Sequence, residues 1–146
     1  MSSIKKNYIP ESLSEKDKKK QKENILKSRR AYKKGRFVDR VKIKSAKNKP
    51  SKHVEKAKKI YNVDAITASA ELSNKTGCSQ STLKKIVKKG KGAYYSSGSR
   101  PNQTPESWGR ARLASAITGG KAGKVDKKEI KEGCNENSKV RRLLNI

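Results

Sequence analysis

The stretch Leu72-Ser73-Asn74-Lys75-Thr76-Gly77-Cys78-Ser79-Gln80-Ser81-Thr82-Leu83-Lys84-Lys85-Ile86 decides the fold class. Thr76-Gly77-Cys78-Ser79 reads as a turn, and the Ser79 hydroxyl is placed to cap the helix that follows. Ser73, a small residue, lies four before Gly77, and Leu83 lies six after it. That spacing lets two helices cross closely, so the segment reads as a helix-turn-helix-like hairpin. Beyond the turn, Leu83, Ile86 and Val87 make an apolar side, with Lys84, Lys85, Lys88 and Lys89 opposite. Two readings compete. In a DNA reader, Gln80, Ser81, Lys84 and Lys85 face a groove or phosphates. In an ordinary helical hairpin the lysines are a solvated face. The second is preferred, because lysines without placed Arg, Asn or Gln pairs meet phosphate or acidic surfaces rather than base edges.

Working outward, Val63, Ile66, Ala70 and Leu72 suggest a buried face, and Ser51 caps an earlier helix carrying Val54, Ala57, Ile60 and Tyr61. On the other side, Gly90 to Pro101 reads as a glycine-rich basic loop. Its Tyr94 and Tyr95 either stack on the bases of a single strand or, the favoured reading, pack on the next helix. That helix is capped by Thr104, has Pro105 at its first position and Glu106 in its first turn, and stops at Gly119-Gly120. Trp108, the only tryptophan, is the expected core anchor. Thr118 to Val125 suggests a phosphate loop but fails the pattern, since Val125 stands where a metal-binding Ser or Thr is needed. It reads as a helix stop and linker. Asp126-Lys127-Lys128-Glu129 fits a capping box for a short helix to about Lys131. Val140, Leu143, Leu144 and Ile146 allow one or two further helical turns.

The N-terminal third is different. Residues 1–11 read as an extended arm. Ser12 caps a helix, with Glu15 reaching back, that runs to about Lys34. Between Ser14 and Asn24 it holds no apolar residue, so it is expected to be solvated or to lie on a partner. Phe37, Val41 and Ile43 allow a short strand or extended segment after Gly35, and residues 47–50 a loop. The expected architecture is mostly α. A basic arm and helix spans 1–50, a small helical domain 51–125, and a C-terminal helical tail 126–146.

The 146 residues include 39 Lys or Arg and 13 Asp or Glu, a net charge of +26, and 31% are hydrophobic. Such a chain repels itself until a polyanion lies nearby, and part of it is expected to order only on a partner. Residues 1–61 carry 22 basic and 6 acidic side chains, and residues 62–146 carry 17 and 7. The expected contacts are Lys18, Lys19, Lys20, Arg29, Arg30, Lys33 and Lys34, with Lys84, Lys85, Lys88, Lys89, Lys91 and Arg100 as a second set. Cys78, Cys134 and His53 are too few for a zinc site. A disulfide between the cysteines stays open, and reduced thiols are the expectation. Nothing orients a Cys-His pair, and the acids sit among lysines rather than paired in a cleft. No enzyme activity, cofactor, metal or small-molecule substrate is therefore expected. No secretory start and no apolar run of spanning length is present, so a soluble protein made inside a cell is expected.

Gly98-Ser99-Arg100-Pro101-Asn102-Gln103-Thr104 and Ser107-Trp108-Gly109-Arg110-Ala111-Arg112-Leu113-Ala114-Ser115 resemble small lysine-rich proteins of large nucleocytoplasmic DNA viruses, and more loosely segments in tailed phages. Tyr8-Ile9-Pro10, followed by Leu13-Ser14 and a lysine run, is similar to the same type. The resemblance implies a virion protein, made in the host cytoplasm, with no assigned activity. In that setting the chain is expected to be a minor capsid or inner-shell protein bridging acidic surfaces of neighbouring subunits. Its partners would be major and minor capsid proteins, with viral DNA or the inner membrane surface as further candidates. The alternative is a sequence-tolerant protein that binds or condenses the genome.

Overall fold

The computed structural model describes residues 3–47 and 51–146. The fold is mostly α, as expected. After a 3-10 turn at Lys6–Tyr8, the helices are α1 (Glu15–Lys33), α2 (Lys52–Tyr61), α3 (Ala70–Thr76) and α4 (Gln80–Ser96). They continue as α5 (Pro105–Ile117), α6 (Lys121–Val125), α7 (Lys127–Gly133) and α8 (Lys139–Leu144). No strand occurs among the described residues, so Phe37 to Ile43 does not form the short strand that its alternation allows. Residues 48–50, the end of the expected loop, lie outside the described residues.

The chain divides into two compact units, and not at the expected boundaries. Unit one is Met1–Lys49 with Lys91–Pro105, and unit two is Pro50–Gly90 with Glu106–Ile146. The tail at 126–146 is therefore no appendage: Ile130, Cys134 and Val140 are buried in the core of unit two.

That core brings together Leu72, Leu83, Ile86, Leu113, Ile117 and Ile130. Trp108 is only half-buried and stands outside this cluster. The anchors of α5 lie further on, where five consecutive residues, Leu113 to Ile117, are buried and small residues let helices approach. At Gly90 the α4 and α5 backbones come close: a Cβ there would stand 2.6 Å from the Gly109 Cα. Gly90 and Gly92 do not open a loop, because α4 continues through both to Ser96.

Local capping explains most element starts. Ser51, Ser69 and Ser138 each accept a hydrogen bond from a backbone N–H three residues on. In α1 this role falls to Ser14, not the expected Ser12: its Oγ accepts from the Asp17 N–H. Glu15 is thus the first helical residue and bonds Lys18. Asp126 precedes α7 but makes no side-chain cap. The expected linker after Gly119 instead forms α6.

Unit one has few apolar residues and is held by polar contacts. Gln21 Nε2 donates to the carbonyls of Tyr8 and Ser99, at 3.0 and 3.1 Å. Arg29 Nε donates to the Ser97 carbonyl at 2.8 Å. Asn102 pairs with Ile43 in both directions, accepting at Oδ1 and donating from Nδ2. Asp17 accepts from both the backbone and the hydroxyl of Ser45. The basic helix therefore has a packed side. It buries Gln21, Ile25, Ser28 and Arg29 within its own unit.

Candidate docking surfaces

The structure sorts the thirteen expected polyanion contacts into groups. Arg29 is buried, 8% exposed, and its guanidinium is used on the Ser97 and Ser3 carbonyls. It is a structural residue and is withdrawn from the contact set. Lys18 bridges Glu11 and Glu15, at 3.1 and 3.2 Å, and those hydrogen bonds hold its amine above the usual lysine range. Lys89 bonds Glu129 and lies 3.4 Å from Asp126. Lys20 and Lys91 are half-buried. Exposed are Lys19, Arg30, Lys33 and Lys34 on α1, Lys84, Lys85 and Lys88 on α4, and Arg100.

Three acidic side chains, Asp17, Asp126 and Glu129, are drawn into contacts, while most of the others are exposed. Asp126 is wholly buried and takes a two-pronged bond from Arg112: Nε to Oδ2 at 2.9 Å and Nη2 to Oδ1 at 2.7 Å. This hydrogen bonding holds the Arg112 guanidinium above its ordinary value. The Lys89 bond keeps Glu129 below the usual carboxylate range. Bonds from Ser45 do the same for Asp17. With these carboxylates engaged, the outer faces of α1 and of the first half of α4 are left rich in lysine and arginine.

Unit one also exposes aromatic surface that the sequence did not mark as a group. Tyr32 and Phe37 are 37% and 68% exposed. Tyr95, from the end of α4, stacks parallel to Tyr32 at 6.1 Å and lies 4.8 Å from Phe37. Tyr94 behaves differently, being buried beneath Arg40, whose guanidinium carbon sits 3.8 Å from the ring centroid. Neither tyrosine is in a loop. The signal for this cluster was hidden because Tyr95 lies about 60 residues from Tyr32 and Phe37 in sequence.

Cys78 and Cys134 form a disulfide, against the expectation of reduced thiols. They face each other in an isolated antiparallel bridge, flanked by Ser79 N–H to Gly133 O and Asn135 N–H to Gly77 O, both 2.8 Å. In such a non-hydrogen-bonded pair the side chains approach most closely. Among the described residues no group of three or more His, Cys, Asp or Glu is placed to hold a metal ion. No helix there is long and apolar enough to cross a membrane.

These features define a small, disulfide-stapled helical protein with outward-facing basic surfaces. Residues 6–138 match DUF5824, a family of unknown function, and the chain belongs to that family. No curated protein and no solved structure matches the chain.

Proposed function

We propose that this chain is a non-enzymatic structural protein of a large DNA virus particle, a minor capsid or inner-shell protein that bridges acidic surfaces of neighbouring subunits. The observation that carries the reading is the cluster of exposed Tyr32 and Phe37 with half-buried Tyr95, with Val41 also exposed at 55% and with Lys33, Lys34 and Arg36 flanking it in sequence. Aromatic and arginine side chains are the types that dominate the centres of protein interfaces, and a contiguous exposed apolar group calls for cover. The lysines of α1 supply an attraction to acidic partners that speeds encounter more than it adds affinity. The viral setting rests on the resemblance around Trp108.

The test is binding of the full chain to the shell protein of the particle. Saturable binding is expected, with Phe37→Ala weakening it at least tenfold, the loss typical of an interface hot spot. Unchanged affinity in Phe37→Ala and Tyr32→Ala would overturn the reading. A second reading, a DNA binder of the genome core, is favoured by a separate observation on α4.

A further inference from the structure

The helix-turn-helix segment partitions its residues cleanly. Leu72, Thr76, Cys78, Leu83 and Ile86 are each 5% exposed or less and face the core of unit two. Gln80, Ser81, Lys84, Lys85 and Lys88 are all exposed on the outer side of α4. The turn between the helices is fixed from several directions. Gly77 takes the left-handed conformation at φ 77°, where a side chain would be strained. Ser73 Oγ donates to the Cys78 carbonyl at 2.6 Å, and the Cys78 N–H donates to Thr76 Oγ1 at 3.2 Å. The disulfide to Cys134 ties the same turn to the end of α7. Ser79 then caps α4, accepting from the Thr82 N–H.

From this arrangement we infer that α3 and α4 form a docking head for double-stranded DNA, with the outer face of Gln80–Lys88 entering the major groove. A helix fits that groove, which is about 12 Å wide. The outer face offers three lysines and no carboxylate, complementary to phosphate. Lys84 and Lys88 lie one turn apart on one side, and Lys85 lies beside them. Gln80 and Ser81 stand at the start of the second helix, the part that meets base edges in such motifs. Gln80 Nε2 is engaged by the Ala68 carbonyl at 3.0 Å, so base reading is limited and the contact is mainly to phosphate. Sequence tolerance follows. The site lies in unit two and the aromatic cluster in unit one, and the inference does not rest on the shell assignment.

A chain of net charge +26 binds any polyanion to some degree, so the experiment must locate the contact. Lysine acylation of the full chain, read by mass spectrometry, is compared with and without a 20-base-pair duplex. Lys84, Lys85 and Lys88 are expected to be protected at least fivefold, while the exposed Lys52, Lys56 and Lys59 of α2 are not. In parallel, K84Q/K85Q/K88Q should flatten the log–log salt slope for the same duplex by about 2.7, at ~0.9 per phosphate contact. The matched K52Q/K56Q/K59Q triple should flatten it by less than one. Equal effects of the two triples, uniform or absent protection, or equal protection by polyglutamate would each overturn the inference. Loss of shell binding in Phe37→Ala with α4 protection intact would leave it standing.

Discussion

At the scale of single residues, the molecule is organised by a few charged side chains turned inward. Asp126 is the clearest. Truncating Arg112 leaves a wholly buried carboxylate with only Lys89 near it, and breaking a buried pair in this way costs about 3 kcal/mol. Arg112→Ala should lower unfolding free energy by roughly that amount in urea titration, and an effect under about 0.5 kcal/mol would show that water already screens the pair. Arg40 does the corresponding work in unit one, donating to Ser99 Oγ at 2.8 Å, to Ser28 Oγ at 3.2 Å and to the Tyr94 carbonyl. Lysine keeps the charge but not the fork. Arg40→Lys should therefore destabilise by about 2 kcal/mol, the sum of two or so lost hydrogen bonds. These roles were not legible in the sequence. Asp126 reads as a helix cap and Arg40 as one more cation, because the partner of the first is 14 residues away and those of the second are 12, 54 and 59 away.

At the scale of elements, α4 separates two kinds of glycine. Gly90 is buried, and a Cβ would collide with the Gly109 backbone at 2.6 Å. Gly92 has only the Tyr32 hydroxyl near, at 3.5 Å, an ordinary contact. Gly90→Ala should cost about 2 kcal/mol through overpacking, while Gly92→Ala should gain up to about 1 kcal/mol of helix propensity. Thermal denaturation of the two variants checks this, and equal shifts would show that the crossing can relax. The disulfide closes a loop across a sequence separation of 56. Removing it through Cys78→Ser/Cys134→Ser should lower stability by about 4 kcal/mol on the loop-entropy model. The helices themselves were largely readable. Ser51, the hairpin around Gly77, and Pro105 with its stop at Gly119-Gly120 all announce helix ends by local chemistry. What misled was composition. Two glycines suggested a loop in α4, where packing and continuing hydrogen bonds hold a helix. A lack of leucines suggested an α1 without a packed side, where Gln21 and Arg29 take backbone carbonyls instead. Trp108 was overrated for a related reason, since close packing in α5 runs through alanines rather than the largest side chain.

At the scale of the whole molecule, stability depends on a few engaged carboxylates. Asp17 and Glu129 lie below their ordinary values of 3.8 and 4.5 because they accept bonds from Ser45 and Lys89. Depressed carboxylates stabilise the fold fully above those ordinary values, and the contribution is lost as pH falls through their lower folded-state values. The thermal midpoint should thus hold from neutral pH down to about 4.5 and fall below it. A midpoint that rises on acidification would contradict this role of Asp17 and Glu129. The exposed lysines and arginines of α1 and α4 offer basic surfaces to partners, and the aromatic cluster of unit one gives one of them an apolar centre. The most direct measurement is the amount of this chain, by quantitative mass spectrometry, that stays with the shell of disrupted particles after nuclease has removed the DNA. The account predicts retention with the shell at a fixed molar ratio to the capsid proteins. Release with the digested genome would contradict it.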